Sequence, residues 1–433
     1  MLDLNFIREN AELVKKAIKN KGLSLNLYDF LKLDDKRRTL VQEIDELRRQ
    51  QNEFSKKIAD LSKEDIDKEL AGMKVLSTDL KRIESELKEI EQKWQELYLL
   101  IPNIPSSDTP IGISEKDNVE VEKWGEIKKF DFKIKSHIEL MKDLNLVDFD
   151  RGVKTSGFRG YYLKNEAAVM QLALINYAVS KMRKIGFEFM ITPTILKEFA
   201  LTGSGHFPFG KDDIYQLANT GKDETGRQIG ETLYLAGTSE PSLLAYFADT
   251  ILEEKDLPRK VCGFSQCYRN EVGSYGKDAQ GLYRIHEFMK VEEVVLCRAD
   301  EKESDEWLEK MRKYSQDILK DLELPHRVLQ ICTADMGAGK RKMYDIETWM
   351  PSREGYGETH SDSNLTDWQP RRLNIKYRKA NGEKIYVYAL NNTVIASPRI
   401  LIAILENNQN KDGSVTIPKI LADLCGFDKI LPR

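Results

Sequence analysis

The chain has 433 residues, more than one compact core usually holds, so we expect two domains. Charged residues make up 32% of it, yet the formal net charge is only -4, which excludes a uniformly basic nucleic-acid coat but leaves a locally basic element open. Five cysteines without a CxxC pair, no signal-peptide core and no stretch of ~20 apolar residues predict a cytoplasmic protein with no membrane partner, disulfide framework or zinc site.

The clearest periodicity lies between residues 40 and 97, where apolar residues recur in alternating steps of four and three. Such an a/d seam is typical of a coiled coil, and here it runs on two segments separated by the polar stretch 62–69. Two helices of similar length bury such seams by folding back on each other. We therefore predict an antiparallel helical hairpin, an arm over 34–99, with residues 1–28 as a small helical cap at its base. The seam positions are Leu40, Ile44, Leu47, Gln51, Phe54, Ile58 and Leu61, then Leu76, Leu80, Ile83, Leu87, Ile90, Trp94 and Leu97.

The faces of the arm away from the seam are rich in basic residues. A solvated coiled-coil surface explains them as well as a rod that follows phosphate groups does. A thin projecting rod suits a long, shaped RNA better than a small molecule. The basic positions are Lys36, Arg37, Arg38, Arg48, Arg49, Lys56, Lys57, Lys63, Lys81, Arg82 and Lys88.

A proline-rich linker, IPNIPSSDTPIG, follows the arm and ends it. From about Val119 the pattern changes to short β-rich runs mixed with helices. We therefore predict an N-terminal domain over 1–110 and an α+β domain over 111–433.

The segment 264–295 contains the richest chemistry. Two β-type runs flank the Gly-rich loop GSYGKDAQG, which predicts an antiparallel hairpin. A solvated outer face would explain the charges on one side of it, but not the Phe among them. Guanidinium forks match phosphate and carboxylate oxygens, an aromatic ring can stack on adenine, and a carboxylate can hold an ammonium group. Strand alternation groups Arg269 with Glu271 on the first run, and Arg284, His286, Phe288, Lys290 and Glu292 on the second.

A second anion site is predicted near the C-terminus, in NNTVIASPRILIAILEN. We expect Ser397 to be the N-cap of a helix and Pro398 its first residue. Arg399 then lies in the first turn, where backbone amides and the helix dipole also favour an anion. The alternative is an ordinary surface charge.

The hairpin residues resemble motif 2 of the class II aminoacyl-tRNA synthetases, with Arg-x-Glu at Arg269 and Glu271. With its N-terminal arm, the whole chain resembles the seryl-tRNA synthetases. FEFMITPTIL, with Pro193, is similar to motif 1, which builds the dimer interface in that family. NNTVIASPRILIAILEN is similar to motif 3, with Asn392 and Val394 departing from its Gly-rich form. No Walker A or dinucleotide Gly pattern competes for the nucleotide.

Three further segments resemble the same family. GSGHFPFGKDDIYQL is similar to the segment before the serine pocket. GTSEP stands in place of the family's Thr-Ala-Glu stretch, with Ser239 and Pro241 as departures. ETHSDSNLTDWQPRRLNIKYR is similar to the family's Glu-x-x-Ser-x-Ser-Asn stretch, with Asp362 where Cys is common.

The resemblance implies an antiparallel sheet flanked by helices, a preceding helical hairpin, a homodimer, and these site residues. Arg269 would bridge the ATP α-phosphate and the serine carboxylate, with Arg399 and Glu358 as the other catalytic residues. ATP would contact Arg269, Asn270, Glu271, Arg284, Phe288, Glu358, Thr359, His360, Ser361 and Arg399, with Phe288 stacked on adenine, and Arg284 and Arg399 on the outer phosphates. Mg²⁺ would bind Glu358 and Ser361. Serine would contact Thr238, Ser239, Glu240, Arg269, Glu292 and Thr393.

The activity so implied is activation of L-serine with ATP to seryl-adenylate, followed by transfer to tRNA(Ser) and, in the family, also to tRNA(Sec). The serine carboxylate attacks the α-phosphorus directly, so no protein nucleophile is needed. We therefore expect hydrogen-bonding or structural roles for His286 and His360, not general-base roles.

Two alternatives remain open. One is a ligase that adenylates an amino acid but charges a carrier protein, which would not need a basic arm. The other is a coiled-coil interaction protein whose body has lost catalysis, which would not need Arg269, Glu292, Glu358 and Arg399 together. Pyrophosphate exchange separates active from inactive proteins, and added tRNA separates the two ligases.

Overall fold

The structure is a computed structural model that describes residues 1–58, 63–218, 221, 224–227, 230–272 and 280–433, with side chains described outside 57–71. It contains two compact units, Met1–Pro102 and Asn103–Arg433. The linker residues after Pro102 belong to the second unit, because Asn103 and Ser106 donate backbone N–H groups to the carbonyls of Ala338 and Arg341, each over 2.9 Å. The domain boundary at 110 stays a prediction.

In the part of the first unit that the structure describes, there are four helices. Its two short helices lie at the base of the two long ones, as predicted for the cap. Arg8 pairs with the buried Asp34 at 2.7 Å, and Asp34 also accepts from the indole N–H of Trp94 at 3.1 Å. The phenol of Tyr98 donates to the carbonyl of Leu2 at 2.6 Å. The helices are α1 (Leu4–Glu9), α2 (Ala11–Asn20), α3 (Leu27–Ile58) and α4 (Lys63–Leu100).

The hydrophobic seam of α3 and α4 is confirmed in the described part of the arm. Leu40 and Ile44 of α3 are buried against Ile83 and Ile90 of α4, with partly buried leucines around them. The prediction of a polar break over 62–69 is wrong for 63–69, which are helical. KEDIDKE contains neither Gly nor Pro, so no residue in it ends a helix. Residues 59–62 lie outside the described chain.

Several basic residues of the arm are paired with acidic neighbours. Arg37 lies 3.2 Å from Glu91, and Arg48 lies 2.9 Å from Glu84 on the facing helix. Exposed pairs of this kind contribute little to stability, so they can exchange for phosphate contacts at small cost. The phosphate-binding role of the arm stays a prediction, and the side chains of Lys57 and Lys63 lie outside the described set.

The described residues of the second unit form an eight-stranded sheet with the order β1-β10-β11-β12-β15-β9-β8-β4, in which β4 and β8 are parallel and the other neighbouring pairs are antiparallel. The strands are β1 (Val119–Trp124), β2 (Val147–Asp148), β3 (Tyr162–Leu163), β4 (Glu188–Ile191), β5 (Ile195–Lys197), β6 (Leu233–Leu235), β7 (Ile251–Glu253), β8 (Arg259–Tyr268), β9 (Glu287–Cys297), β10 (His326–Gln330), β11 (Lys342–Met350), β12 (Gly355–Thr366), β13 (Lys376–Arg378), β14 (Lys384–Tyr386), β15 (Tyr388–Ala396), β16 (Val415–Thr416) and β17 (Lys429–Ile430).

Helices cover this sheet and form the core with it. The largest buried apolar cluster joins residues of α7, α10 and α12 to the central strands. The predicted α+β class and antiparallel sheet are therefore confirmed. Among the described residues, no helix combines the length and apolar character needed to cross a membrane. The helices are α5 (His137–Asp143), α6 (Phe149–Ser156), α7 (Asn165–Lys184), α8 (Glu198–Ser204), α9 (Glu240–Ala245), α10 (Glu301–Asp321), α11 (Trp368–Leu373), α12 (Ser397–Asn407) and α13 (Lys419–Cys425).

Candidate active site

A cavity opens on the face of the sheet formed by β9, β12 and β15. Most of its lining residues are polar or charged, and both motif-2 and motif-3 arginines are among them. The structure therefore brings together predicted residues that are more than a hundred positions apart in the chain. The lining consists of Arg269, Glu271, Tyr283, Ile285, Phe288, Lys290, Glu358, Thr359, Thr393, Ala396, Pro398 and Arg399.

The β8–β9 hairpin supplies one wall. Strand β8 ends at Tyr268 and β9 begins at Glu287, so the arginines beyond these ends lie in irregular backbone, and residues 273–279 of the predicted loop lie outside the described chain. Arg284 donates to the Glu271 carboxylate at 3.2 Å. Glu271 has a positive φ of 52°, a conformation that non-glycine residues adopt rarely. The predicted strand alternation therefore applies to Phe288, Lys290 and Glu292, but not to Arg284.

Arg269 lies at the centre of the site. Its Nε donates to the carbonyl of Gly237 at 3.1 Å, and its guanidinium lies 5.4 Å from the centroid of the Phe288 ring. Its backbone N–H donates to the carbonyl of His286 at 3.0 Å. His286 is thus part of the support behind Arg269, because its ring also hydrogen-bonds to the Arg269 carbonyl at 2.9 Å.

Arg399 projects from the start of α12 and binds β12. Its Nη1 donates to the backbone carbonyl of Glu358 at 2.8 Å and to the carboxylate at 3.2 Å. The prediction that Ser397 caps this helix is wrong. Ala396 is the N-cap, and the Ser397 hydroxyl donates instead to Gln171 of α7 at 3.0 Å, because the helix start is packed against that neighbouring helix.

Three carboxylates and a hydroxyl occupy facing positions on β11 and β12. Asp345, which we did not predict, is paired in register with Ser361, and Glu358 lies opposite Glu347. Burial raises the pKa of Asp345 well above its usual range, and the Glu358 carboxylate raises it further. Asp345 Oδ1 is buried and has no hydrogen-bond partner within the described residues. The alternation in YDIET places Asp345 and Glu347 on one face of a strand, and this pattern is the sequence signal that could have identified Asp345.

The pKa of Glu358 moves in the opposite direction. Enclosure among protein atoms raises it, but the positive charges of Arg399 and Arg269 outweigh this contribution, and the net pKa lies below the usual range. Because 48% of the side chain stays exposed, we expect the two guanidinium groups to dominate. Glu358 is therefore ionised in this site.

A second polar group lies on β9, beside the predicted serine contacts. Lys290, which we had placed on this face without assigning it a role, lies 2.5 Å from the Glu292 carboxylate and donates to Thr238 Oγ1 at 3.3 Å. All three side chains are buried. Burial raises the pKa of Glu292, although Lys290 opposes the shift, and the nearby Glu240 adds to it. Thr393 of β15 is paired with Glu292 and lines the cavity.

His206 lies close to the same group and was not predicted. Burial, followed by the positive charges of Arg269, Lys340 and Lys290, lowers the pKa of its imidazole to about 4. The ring is therefore neutral near pH 7, and it hydrogen-bonds to Ser204 at 2.9 Å. The Gly-rich context of GSGHFPFG was the only sequence signal for it.

Other predicted residues lie away from the cavity lining. The Ser239 hydroxyl is buried and donates to the Gly263 carbonyl at 2.9 Å. Asn270 donates to the carbonyl of Asp212 at 3.2 Å. Glu240 is buried and accepts from Gln369 at 2.6 Å and from Asn391 at 2.8 Å.

His360 is separated from the cavity as well. Its ring is buried and hydrogen-bonds to Thr359 at 2.9 Å, and its position is paired with Ile346 in the core. Burial lowers the pKa of His360 to about 3, so its ring is neutral. This position fits the expected structural role of His360. It keeps the ring away from the cavity that the other residues predicted to contact ATP surround.

Comparison with known proteins gives a consistent result over both units. A family model described as the seryl-tRNA synthetase N-terminal domain matches residues 1–105. A model described as the tRNA synthetase class II core domain (G, H, P, S and T) matches residues 222–408.

Individual relatives match over the whole chain. The serine–tRNA ligase of Borreliella afzelii (strain PKo) is 44% identical over 441 residues, covering 99% of each chain. That of Deinococcus radiodurans is 42% identical over 431 residues, covering 100% of this chain and 99% of the relative. The crystal structure of seryl-tRNA synthetase from Pyrococcus horikoshii complexed with ATP has a TM-score of 0.90 at 38% identity and full coverage of both chains. Because the similarity extends through arm and body alike, the chain belongs to the serine–tRNA ligases, a family of ATP-dependent class II aminoacyl-tRNA synthetases.

Proposed function

We propose that this chain activates L-serine with ATP to form seryl-adenylate and then transfers the seryl group to tRNA(Ser). The observation that supports this most directly is the position of Arg269. Its guanidinium lies over Phe288. Its positive charge lowers the pKa of Glu358, which lies beside Arg399. The same charge lowers the pKa of His206, which lies near Lys290 and Glu292. One guanidinium can therefore contact the α-phosphate and the serine carboxylate together.

In the first step, a serine carboxylate oxygen attacks the α-phosphorus. A new O–P bond forms, the bond to the bridging oxygen breaks, and pyrophosphate leaves. Arg269 would hold both reacting groups in line, while Phe288 stacks on adenine and Arg284 and Arg399 hold the outer phosphates. Glu292 and Thr393 would receive the serine ammonium and hydroxyl groups. No side chain acts as nucleophile.

A divalent cation fits beside the phosphates. The buried, unpartnered Oδ1 of Asp345 and the adjacent Glu358 carboxylate are the hard oxygen ligands that Mg²⁺ prefers, and Ser361 adds a hydroxyl. No group of three or more His, Cys, Asp or Glu side chains in the described chain could hold a metal ion. When bound, Mg²⁺ would neutralise phosphate charge.

We further propose a homodimer. Five large apolar side chains are exposed on α7, β4 and the segment that follows β4, and Ile191 is 77% exposed. They are Val169, Leu172, Ile191, Ile195 and Phe199. Helix α7 contacts β4, and α8 contacts β5, so we infer that these exposed apolar side chains belong to one interface. Sedimentation of Ile191→Asp should give a monomer, whereas Ile113→Asp, at an exposed isoleucine elsewhere, should sediment as the wild type does.

The partner nucleic acid is proposed from the arm. The ion pairs of its basic residues are weak, and a long helical hairpin suits a long RNA. We therefore propose tRNA(Ser), and with it tRNA(Sec), as acceptors in the cytoplasm. All five cysteines are free and buried, as suits a reducing compartment.

The decisive experiment is serine-dependent ATP–pyrophosphate exchange followed by charging of total tRNA. Exchange with serine and stable acylation of tRNA are the expected results. Exchange without any tRNA charging would favour the carrier-protein ligase, and no exchange with any amino acid would favour the inactive interaction protein.

A further inference from the structure

Two guanidinium groups contact one tyrosine ring at the cavity. Tyr283 lines the cavity, and the guanidinium carbon of Arg399 lies 4.4 Å from its ring centroid. The guanidinium carbon of Arg353 lies only 3.8 Å from the same centroid. Arg399 is a motif-3 residue, whereas Arg353 belongs to none of the predicted motifs. The ring therefore holds a further positive charge next to the site proposed for the ATP phosphates.

Arg353 is held in place by the helix that also carries Arg399. It ends the 3-10 turn Pro351–Arg353, between β11 and β12. The fully buried Glu406 of α12 accepts from the Ser352 N–H at 2.9 Å and from its hydroxyl at 2.8 Å. Since Arg399 lies in the first turn of the same helix, α12 carries one arginine and holds the turn that carries the other.

The tyrosine that both arginines contact also packs closely against β12. A Cβ added at Gly357 would lie 3.0 Å from the Tyr283 hydroxyl and 3.0 Å from Met350. The phenol therefore packs against β12 where a side chain would otherwise be. The backbone of β12 thus lies against the ring that the two guanidinium groups contact.

Two positive charges lie close together at this ring, which favours binding of an anion beside them. Partial burial and then the positive charge of Arg399 lower the pKa of Arg353, with Glu406 opposing the shift. Two like charges on one ring repel each other, and a polyanion bound beside them would offset that repulsion. Glu358 lies 3.2 Å from Arg399, and the buried Glu406 accepts from Ser352 and contacts His137.

We propose that Arg353 is a further substrate-binding residue, which contacts the outer phosphates of ATP from the Tyr283 ring, beside Arg399. The inference rests on the proposed function, since it assigns a contact within the same nucleotide site. We assign Arg353 to the β- and γ-phosphates because it lies beside Arg399 on the Tyr283 ring, whereas Arg269 lies over Phe288.

The test compares ATP with AMP, which lacks the outer phosphates. Dissociation constants are measured by calorimetry without amino acid for the wild type, Arg353→Met and Arg353→Lys. Arg353→Met keeps an unbranched apolar stem against Tyr283 but removes the charge. We expect it to weaken ATP binding about tenfold, as loss of one charge-assisted contact does, with less than twofold change for AMP. Arg353→Lys should recover part of the loss, and higher salt should narrow the difference.

The matched control is Arg327→Met. Arg327 also stacks on a tyrosine, 4.9 Å from the Tyr356 centroid, but Tyr356, unlike Tyr283, does not line the cavity. It should leave both nucleotides unaffected. Equal effects of Arg353→Met on ATP and AMP, or no effect on either, would show that Arg353 only packs against Tyr283. A wild type that binds neither nucleotide would overturn the proposed function as well, whereas one that binds ATP without serine-dependent exchange would overturn the proposed function alone.

Discussion

Asn392 donates its side-chain amide to the carboxyl group of Glu293 at 2.7 Å, on the face of the sheet opposite the cavity. The next pair on the same two strands, Thr393 and Glu292, belongs to the proposed serine site. The Asn392 amide also lies 2.8 Å from the hydroxyl of Ser315 in α10, and this hydroxyl donates to the Thr393 carbonyl at 2.9 Å. Helix α10 therefore positions the strand that carries Thr393 through buried polar contacts.

The first prediction concerns stability and pH. Burial raises the pKa of Glu293 well above its usual 4.5; the Asn392 hydrogen bond opposes this shift, and the Glu292 charge adds to it. Above pH 4.5 the unfolded chain releases this proton while the folded chain keeps it, so the group's contribution to stability decreases as the pH rises toward the folded pKa. Glu293→Gln has no proton to release. Its unfolding free energy relative to the wild type should therefore increase between pH 5 and 8, by at most about 1.4 kcal/mol per pH unit.

Denaturant unfolding of both proteins at several pH values measures this difference. Glu306→Gln, at an exposed position on α10, is the control and should follow the wild-type profile. Parallel pH profiles for Glu293→Gln and the wild type would mean that Glu293 is ionised in the folded protein.

The second prediction is that Arg269→Ala abolishes most adenylation. The change removes one charged fork from both reacting groups, so we expect kcat/KM in pyrophosphate exchange to fall by about 10³-fold or more. Arg269→Lys should recover little, because an ammonium group cannot form the same paired hydrogen bonds. Near-normal exchange by Arg269→Ala would remove this residue from the site.

The third prediction concerns selectivity for serine. A pocket built to hydrogen-bond a hydroxyl leaves its own polar groups unpaired when alanine binds, which can discriminate by ~10⁴-fold. Thr393→Val keeps the shape of the side chain but removes its hydroxyl, so KM for serine should rise more than KM for ATP. Exchange kinetics with serine, alanine and threonine measure both effects. Comparable use of alanine and serine by the wild type would contradict the serine assignment.

The fourth prediction separates the arm from the body. Replacing 49–83 by a short Gly-Ser linker keeps the Arg48–Glu84 pair and the buried base around Asp34, which deletion of all of 34–99 would remove. Serine adenylation should persist, because every proposed catalytic residue lies in the second unit. tRNA charging should collapse, and charging by the intact enzyme should weaken steeply with salt as phosphate contacts are lost. Undiminished charging by the shortened protein would show that the arm is structural.

The sequence by itself determined the elements whose periodicity or spacing is local. The steps of four and three at Leu40, Ile44, Ile83 and Ile90 were sufficient for the helical hairpin, because an a/d seam has to be buried against a partner. The motif-bearing segments likewise identified Arg269, Phe288, Glu358, Thr393 and Arg399, which the structure gathers around one cavity. Those side chains project from or border strands whose alternation is set by the chain alone.

Only the tertiary structure decided which other side chains face the residues around the cavity. Strict alternation from Glu358 would place His360 on the cavity side. Instead the register of β11 and β12 shifts between Ile346 and Glu347, so that His360 is opposite Ile346 and Ser361 is opposite Asp345. A bulge of this kind reverses the facing of every later residue, and it depends on the pairing of two strands, which neither strand's sequence specifies. For the same reason the contact between Lys290 and Thr238 and the shared ring of Tyr283 under Arg353 and Arg399 emerged only once the chain was folded.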